Sequence, residues 1–285
     1  MAGVTLAVRA QHGARYIRPR PHHRAFLAAR GGEMSLSFVE ETPPAAERGS
    51  LAFHSEEGGW RVHRHEGGWL YRFEHDGLSP SCYEAVAIDP RSGRGTMYFP
   101  RPDSGPRPPS ALFHPVDEML FQHHFARTGA FEVHSCGLVV GGRALVFCGQ
   151  SGAGKTTTAL LWKKHRRGTE VLSDDRIVLR FRGARAWAHG TPWHGIGRFA
   201  LPTARPLAAL FFLEQADETR VERLAPAAAA ARLFARGFSP IWDRSAVERV
   251  LDTCERIVRQ VPCHRFRFRK DGSAVRAALE AAARV

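Results

Sequence analysis

The run Gly149-Gln150-Ser151-Gly152-Ala153-Gly154-Lys155-Thr156 matches the pattern G-x-x-x-x-G-K-[ST], and each of its parts suits a nucleoside triphosphate. Glycines let the backbone approach phosphate oxygens with no Cβ in the way. The amides of Gly149, Ser151, Gly152, Ala153, Gly154, Lys155, Thr156 and Thr157 lead into a helix start, where the helix dipole favours an anion. Lys155 adds a point charge on the β- and γ-oxygens, and the Thr156 hydroxyl can ligate Mg2+. A glycine-rich turn that binds nothing would leave the Lys-Thr at this offset unexplained.

A second group with chemical potential is Asp174-Asp175. The stretch Glu170 to Leu179 reads as one strand carrying both carboxylates, and neighbouring strand residues point to opposite faces, so the two acids should have different tasks. One can reach a cation bridging the β- and γ-phosphates while the other approaches an incoming hydroxyl. Phosphoryl transfer needs both: positive charge on the equatorial oxygens and a group that positions and deprotonates the nucleophile. A simple turn or cap is the structural alternative, disfavoured by apolar Leu172 and by the position close behind the loop.

These groups need a scaffold, and the flanking sequence supplies one. Ala144-Leu145-Val146-Phe147 reads as the strand entering the loop and Thr157 to His165 as the helix leaving it. Phe131 to His134 and Leu138 to Val140 read as strands, with Gly141-Gly142 turning a hairpin into the loop strand. Further on, a loop spans His189 to Gly197, a strand Leu207 to Leu213, helices Pro226 to Arg236 and Ser245 to Gln260, a strand His264 to Phe268, and a last helix from Ser273.

The first third has a different texture. Residues 1–32 carry six arginines and no acid, as a basic arm or an irregular lead-in. From Met34 to Phe99, short partly alternating runs separated by Glu57-Gly58-Gly59, Glu66-Gly67-Gly68 and Asp89 to Gly93 predict an antiparallel meander. Pro100 to Pro109 reads as a linker or an ordered loop, and Pro115 to Ala126 as a helix with Val116, Met119, Leu120 and Phe125 inward. The expected organisation is a β-rich region over 1–110 with its basic lead-in, then a nucleotide-binding domain over 111–285.

Composition narrows the class. A chain of 285 residues with 44% hydrophobic content can bury a full core. Five cysteines without a CxxC pair argue against a disulfide framework or a zinc ribbon and fit a reducing cytosol. Nothing approaches the ~20 apolar residues of a membrane span, and the N-terminus does not read as an export signal, so a soluble cytoplasmic protein is expected. The net charge of +13 invites a nucleic-acid reading, but the arginines are scattered and no recognition helix or aromatic sheet stands out. A solvated basic surface is the plainer account, followed by an acidic partner or a polyanionic substrate. His63, His65 and His75 suggest a metal site, although alternation along an exposed strand produces such a set cheaply.

Taken together, His134 fifteen residues before Gly149, the loop itself and Leu172-Ser173-Asp174-Asp175 resemble the catalytic domain of HPr kinase/phosphorylase. That family comprises bacterial serine kinases whose fold is related to phosphoenolpyruvate carboxykinase. The resemblance spans about residues 114–270 and is similar again to less characterised relatives through Gly190 to Gly195 and Pro206 to Leu213. It implies an α/β fold: a phosphoenolpyruvate-carboxykinase-like P-loop domain with a mixed β-sheet, preceded here by the smaller β-rich region. It also implies ATP and Mg2+ as cofactors, Asp174 as general base, Lys155 on the transferring phosphate, Thr156 and Asp175 as metal ligands, and His134 beside Asp174. The acidic-and-arginine signature that follows the Asp-Asp strand in the family is missing, with His189 to Arg198 in its place. His194 and Arg198 are therefore candidates for substrate contact, or members of a structural loop, and the resemblance leaves the reverse reaction, the HPr substrate and hexamer assembly open.

Two functions follow as expectations. One is an ATP-dependent kinase acting on a serine-type hydroxyl of a peptide, protein or small molecule, without nucleic-acid or membrane partners and with oligomerisation open. The other is a non-catalytic ATP sensor whose N-terminal β region presents a binding surface. A decarboxylating carboxykinase would need a further carboxylate and metal site that the sequence does not offer.

Overall fold

The computed structural model describes residues 1–10, 19–29, 31–55, 59–73, 84–98 and 116–283. The Pro-rich stretch 100–109, Glu57-Gly58, His75 and Cys82 lie outside them. The chain forms two units with two mixed β-sheets. One unit contains Gly3–Pro21 and Ala28–His124; the other contains Met1–Ala2, His22–Leu27 and Phe125–Val285.

The smaller unit is built on strands β1 (Leu6–Ala10), β2 (Met34–Val39), β3 (Leu51–Ser55), β4 (Trp60–His65), β5 (Gly68–Phe73), β6 (Glu84–Asp89) and β7 (Arg94–Tyr98). Their order in the sheet is β1-β2-β7-β6-β5-β4-β3. From β3 to β7 neighbours are antiparallel, and the β4–β5 turn is the two-residue Glu66-Gly67, both with positive φ (47° and 76°), the geometry that follows the twist of the strands. The expected meander therefore holds only in part. β1 pairs parallel with β2, and β2 parallel with β7, so the basic lead-in contributes a strand and the sheet is mixed. Alternation along β2 sets the two faces of the sheet. Met34, Leu36 and Phe38 are buried on one face, and Ser35 and Ser37 lie on the other.

Helix α1 (Val116–Thr128) contains the boundary between the units, and the larger unit follows. Its elements are β8 (Ala130–Val140), β9 (Arg143–Cys148), α2 (Lys155–His165), β10 (Glu170–Ser173), β11 (Arg176–Arg182), β12 (Arg185–Gly190), β13 (Ala204–Gln215), β14 (Arg220–Arg223), α3 (Pro226–Phe234), β15 (Gly237–Phe238), α4 (Arg244–Gln260), β16 (Cys263–Phe268) and α5 (Gly272–Ala283). The loop strand β9 lies between β8, antiparallel, and β13, parallel, and β13 runs parallel with β16 on its other side. Gly141 and Gly142, with φ of 56° and 74°, close the β8–β9 hairpin.

Strands covered on both faces read as continuous apolar runs, and β9 and β13 do so. Ala144, Val146 and Cys148 of β9 join Leu210 and Phe212 of β13 in one core with Leu233 of α3 and Val250, Cys254 and Ile257 of α4. Leu145 and Phe147 face the other way, into a core shared with Phe211, Trp162 of α2 and Val275 of α5. Phe147 stacks on Phe211 with centroids 4.9 Å apart. The result is a helix–sheet–helix sandwich. Asp243 caps α4 by accepting the N–H of Ala246 at 3.1 Å.

Where one strand was expected over Glu170 to Leu179, the chain breaks. β10 pairs with the C-terminal half of β8 and β11 with its N-terminal half, so the peptide must bend between them at Asp174-Asp175.

Candidate functional site

β9 delivers the chain to Gly149 at the edge of two cores, and α2 begins six residues later at Lys155. The intervening loop is compact. The Gly149 N–H donates to the His134 carbonyl at 3.1 Å, Ala153 N–H donates to Gln150 O at 3.1 Å, and Gln215 Nε2 donates to Gly152 O at 2.6 Å. Gly154 has φ of 101°, and a Cβ there would lie 2.7 Å from the Phe268 ring, so the position requires glycine twice over. Ser151 and Gly152 are exposed, and Thr157 sits half-buried in the first turn of α2.

Lys155 is buried and curls back over the loop, its ammonium donating to the carbonyls of Gly149 at 3.1 Å and Gln150 at 3.0 Å and lying 4.0 Å from Asp175 Oδ1. Burial pulls its pKa down, and the nearby Asp175 charge acts against that. Thr156 donates its hydroxyl to Asp174 Oδ2 at 3.0 Å.

The bend between β10 and β11 separates the two aspartates by environment. Asp174 is fully buried, and its carboxylate accepts the backbone N–H groups of Gly195 (3.0 Å), Gly197 (2.8 Å) and Phe199 (3.3 Å) besides the Thr156 hydroxyl. Two glycines make this approach feasible, because a Cβ on Gly195 or Gly197 would stand 2.9 or 2.7 Å from Asp174 Oδ2. Asp175 is about a quarter exposed and meets side chains instead: His134 Nε2 at 2.9 Å, Arg176 through a short ion pair, and Lys155. Burial pushes the Asp175 pKa up, but the His134 hydrogen bond and the Arg176, His134 and Lys155 charges outweigh it and hold the carboxyl below its ordinary value.

This corrects one expectation. His134 lies beside Asp175 and not Asp174, and the Thr156 hydroxyl meets Asp174 and not Asp175. The reason is the bend: at a turn the two side chains are no longer constrained to opposite faces of a pleat, and the register Arg176↔His134 brings Asp175 alongside the imidazole. The imidazole is further bounded by Phe238, 5.7 Å between ring centroids, and the Arg176 guanidinium lies 4.0 Å over the same Phe238 ring. Arg176 Nε is also 3.7 Å from buried Glu132.

His194 and Arg198 belong to the loop that holds Asp174. His194 Nδ1 is 2.9 Å from Gly195 O, and its ring meets His22 edge-on at 5.0 Å. Arg198 is exposed with φ of 55°, and Ile196 at the loop tip is 94% exposed. Sequence reading overlooked Gly195, Gly197 and Phe199 as Asp174 partners. The spacing Gly195-x-Gly197 was the available signal, since paired glycines in a loop allow close backbone approach. It also overlooked Arg176 and Phe238, which topology alone brings to His134.

The oxygen donors assembled here, the Thr156 hydroxyl and two carboxylates, have the hard character Mg2+ selects, and that ion needs only one or two carboxylates beside substrate phosphates. Among the described residues no cluster of three or more His, Cys, Asp and Glu forms a protein-only metal site. The cysteines Cys136, Cys148, Cys254 and Cys263 are buried free thiols. No helix among the described residues is long and apolar enough to cross a membrane.

Fold and site thus define a mixed α/β protein with a phosphate-loop motif at a strand-to-helix junction and two acids beside it. No known family model matches the chain, and no curated protein matches it in sequence. Among solved structures, the Hpr(Ser) kinase/phosphatase from Coxiella burnetii is a weak neighbour, with 13% identity and a TM-score of 0.31 over 52% of this chain and 93% of that one. A likeness of that size carries no argument about activity, which rests on the residues themselves.

Proposed function

We propose that the protein is an ATP-dependent kinase that transfers the γ-phosphoryl group to a serine-type hydroxyl on a peptide, protein or small molecule, using a phosphoenolpyruvate-carboxykinase-like P-loop domain over 111–285. The observation that carries this reading is the convergence of Lys155, Thr156, Asp174, Asp175 and His134 within hydrogen-bond and ion-pair distances around one loop.

In this reading the amides of residues 149–157 and the Lys155 ammonium hold the phosphates. Thr156 and Asp174 hold Mg2+, which when bound supplies positive charge to the equatorial oxygens. Asp175 accepts the proton of the acceptor hydroxyl, and His134 orients its carboxylate. The depressed pKa keeps Asp175 ionised at neutral pH. A weak base suffices because phosphoryl transfer through a loose transition state asks for positioning more than for proton abstraction. His194 and Arg198, on the loop behind Asp174, are the side chains assigned to the acceptor.

The test is transfer from labelled ATP to candidate acceptors by the native protein, Asp175→Asn and Lys155→Ala. Loss of a positioned general base should cost about 10^2- to 10^4-fold in rate. Equal transfer by native protein and Asp175→Asn sinks the assignment of the base.

The sensor reading draws support from Asp174, whose carboxylate is already engaged by four protein donors. It predicts that ATP raises the melting temperature while no acceptor pool yields ADP.

A further inference from the structure

The seven-stranded sheet carries a cavity of about 530 Å3 on the face turned away from its own apolar side, within the size range of small-molecule sites. Its floor follows from strand register. Ala7 and Arg9 of β1 stand opposite Ser35 and Ser37 of β2, and Arg94 of β7 stands opposite Ser35 on the other side. Two arginines therefore flank a pair of serines across three adjacent strands. By sheet geometry the Cα atoms of Arg9 and Arg94 are roughly 11–12 Å apart, two strands and two residues removed.

The rim is fixed. Glu33 Oε2 accepts the Thr5 N–H at 2.7 Å and the Thr5 hydroxyl at 2.5 Å, while Gly32 N–H donates to Thr5 Oγ1 at 2.7 Å. A side chain at Gly31 would collide with that hydroxyl, its Cβ standing 2.1 Å away. The Ser92 hydroxyl is committed to Asp89 at 2.6 Å. Among the described residues the side chains of Arg9, Arg94, Ser35 and Ser37 have no hydrogen-bond or ion-pair partner, although a carboxylate lines the same cavity. Some strand arginines elsewhere are matched with acids: Arg176 with Glu132 and Asp175, Arg205 with Glu170, Arg265 with Glu214.

We infer that this cavity is a second anion site, one that binds a phosphomonoester group between Arg9 and Arg94 over the hydroxyls of Ser35 and Ser37. A planar carboxylate is satisfied by a single guanidinium fork, whereas four donors arriving from three strands match the several oxygens of a tetrahedral phosphoryl group. The Glu33 carboxylate at the rim is held by Thr5. The site does not depend on the kinase reading.

Calorimetric titration of the full chain carrying Lys155→Ala, which disables the phosphate loop, tests it with O-phosphoserine, inorganic phosphate, unphosphorylated serine and acetate. Saturable binding of the two phosphates is expected, with acetate at least about tenfold weaker and no uptake of serine. Arg9→Gln or Arg94→Gln should each weaken phosphate binding by about tenfold or more, the loss of one charged hydrogen-bonding partner. Both arginines are exposed, so the melting temperature should hold; should it fall, Ser35→Ala carries the test with a severalfold loss. No saturable uptake, acetate binding as tight as phosphate, or undiminished binding by Arg9→Gln/Arg94→Gln overturns the inference.

Discussion

The His134 imidazole meets the Asp175 carboxylate at 2.9 Å, and the carbonyl of the same His134 accepts the Gly149 N–H that opens the phosphate loop. One strand residue thus ties the acid and the loop together. With the next N–H, from Ser135, donating to Asp175 O at 3.0 Å, the acid is tethered through both backbone and side chain.

That tether has a pH signature. The His134 hydrogen bond is the first of the influences holding the Asp175 pKa down, so His134→Ala should let it rise. A carboxylate base loses activity as pH falls through its pKa, so the acid limb of a kcat/KM profile should move to higher pH in the variant. An acid limb that stays in place would show that Asp175 is not the titrating base.

The two aspartates should separate in stability. Asp174→Asn sets an amide NH2 among four donors, so one buried pair is left donor to donor, at a cost of about 1–3 kcal/mol. Asp175→Asn, about a quarter exposed and bound by side chains that can rearrange around an amide, should cost less than half as much. Urea denaturation of both variants reads the difference; equal losses would mean that the backbone cage around Asp174 is not formed in solution.

Gly197→Ala should act on Asp174 without touching its chemistry. The added methyl would stand 2.7 Å from Oδ2 and force the loop outward, so both the melting temperature and the phosphoryl-transfer rate should drop. Ile196→Ser, at a tip that is 94% exposed, should leave the melting temperature unchanged.

Acid should weaken the larger unit through two buried histidines. Burial, then nearby arginines, lowers His189 to about 3 and His264 to about 4 from the ordinary 6.5. Between 6.5 and those values the unfolded chain takes up protons that the folded chain refuses, so stability falls as pH drops. His264 stacks on Phe211 at 5.2 Å, so His264→Phe keeps the contact and removes the titration. The stability lost between pH 7 and pH 5 should shrink by on the order of 1–2 kcal/mol in that variant.

Local signals carried much of this molecule. The loop, the hairpin at Gly141-Gly142, helices α2 to α5 and strand β13 each announce themselves through glycine placement, periodicity or a continuous apolar run. Pairing between distant segments is what the sequence withheld. Nothing local marks β1 as the parallel partner of β2, or shows that β8 changes neighbours midway and so bends the chain at Asp174-Asp175. The exchange of partners between the two acids follows from that bend, and a reading that assumed one unbroken strand could not anticipate it.

The segment from His194 to Phe199 grips Asp174 with its peptide groups, and its exposed side chains, Ile196 and Arg198, take no part in that grip. A scaffold of this kind divides labour along six residues: the main chain and the two glycines answer for keeping an acid in place, while Ile196 and Arg198 are at liberty to change. In the kinase reading, the acceptor could then change through two positions while the hold on Asp174 stays as it is.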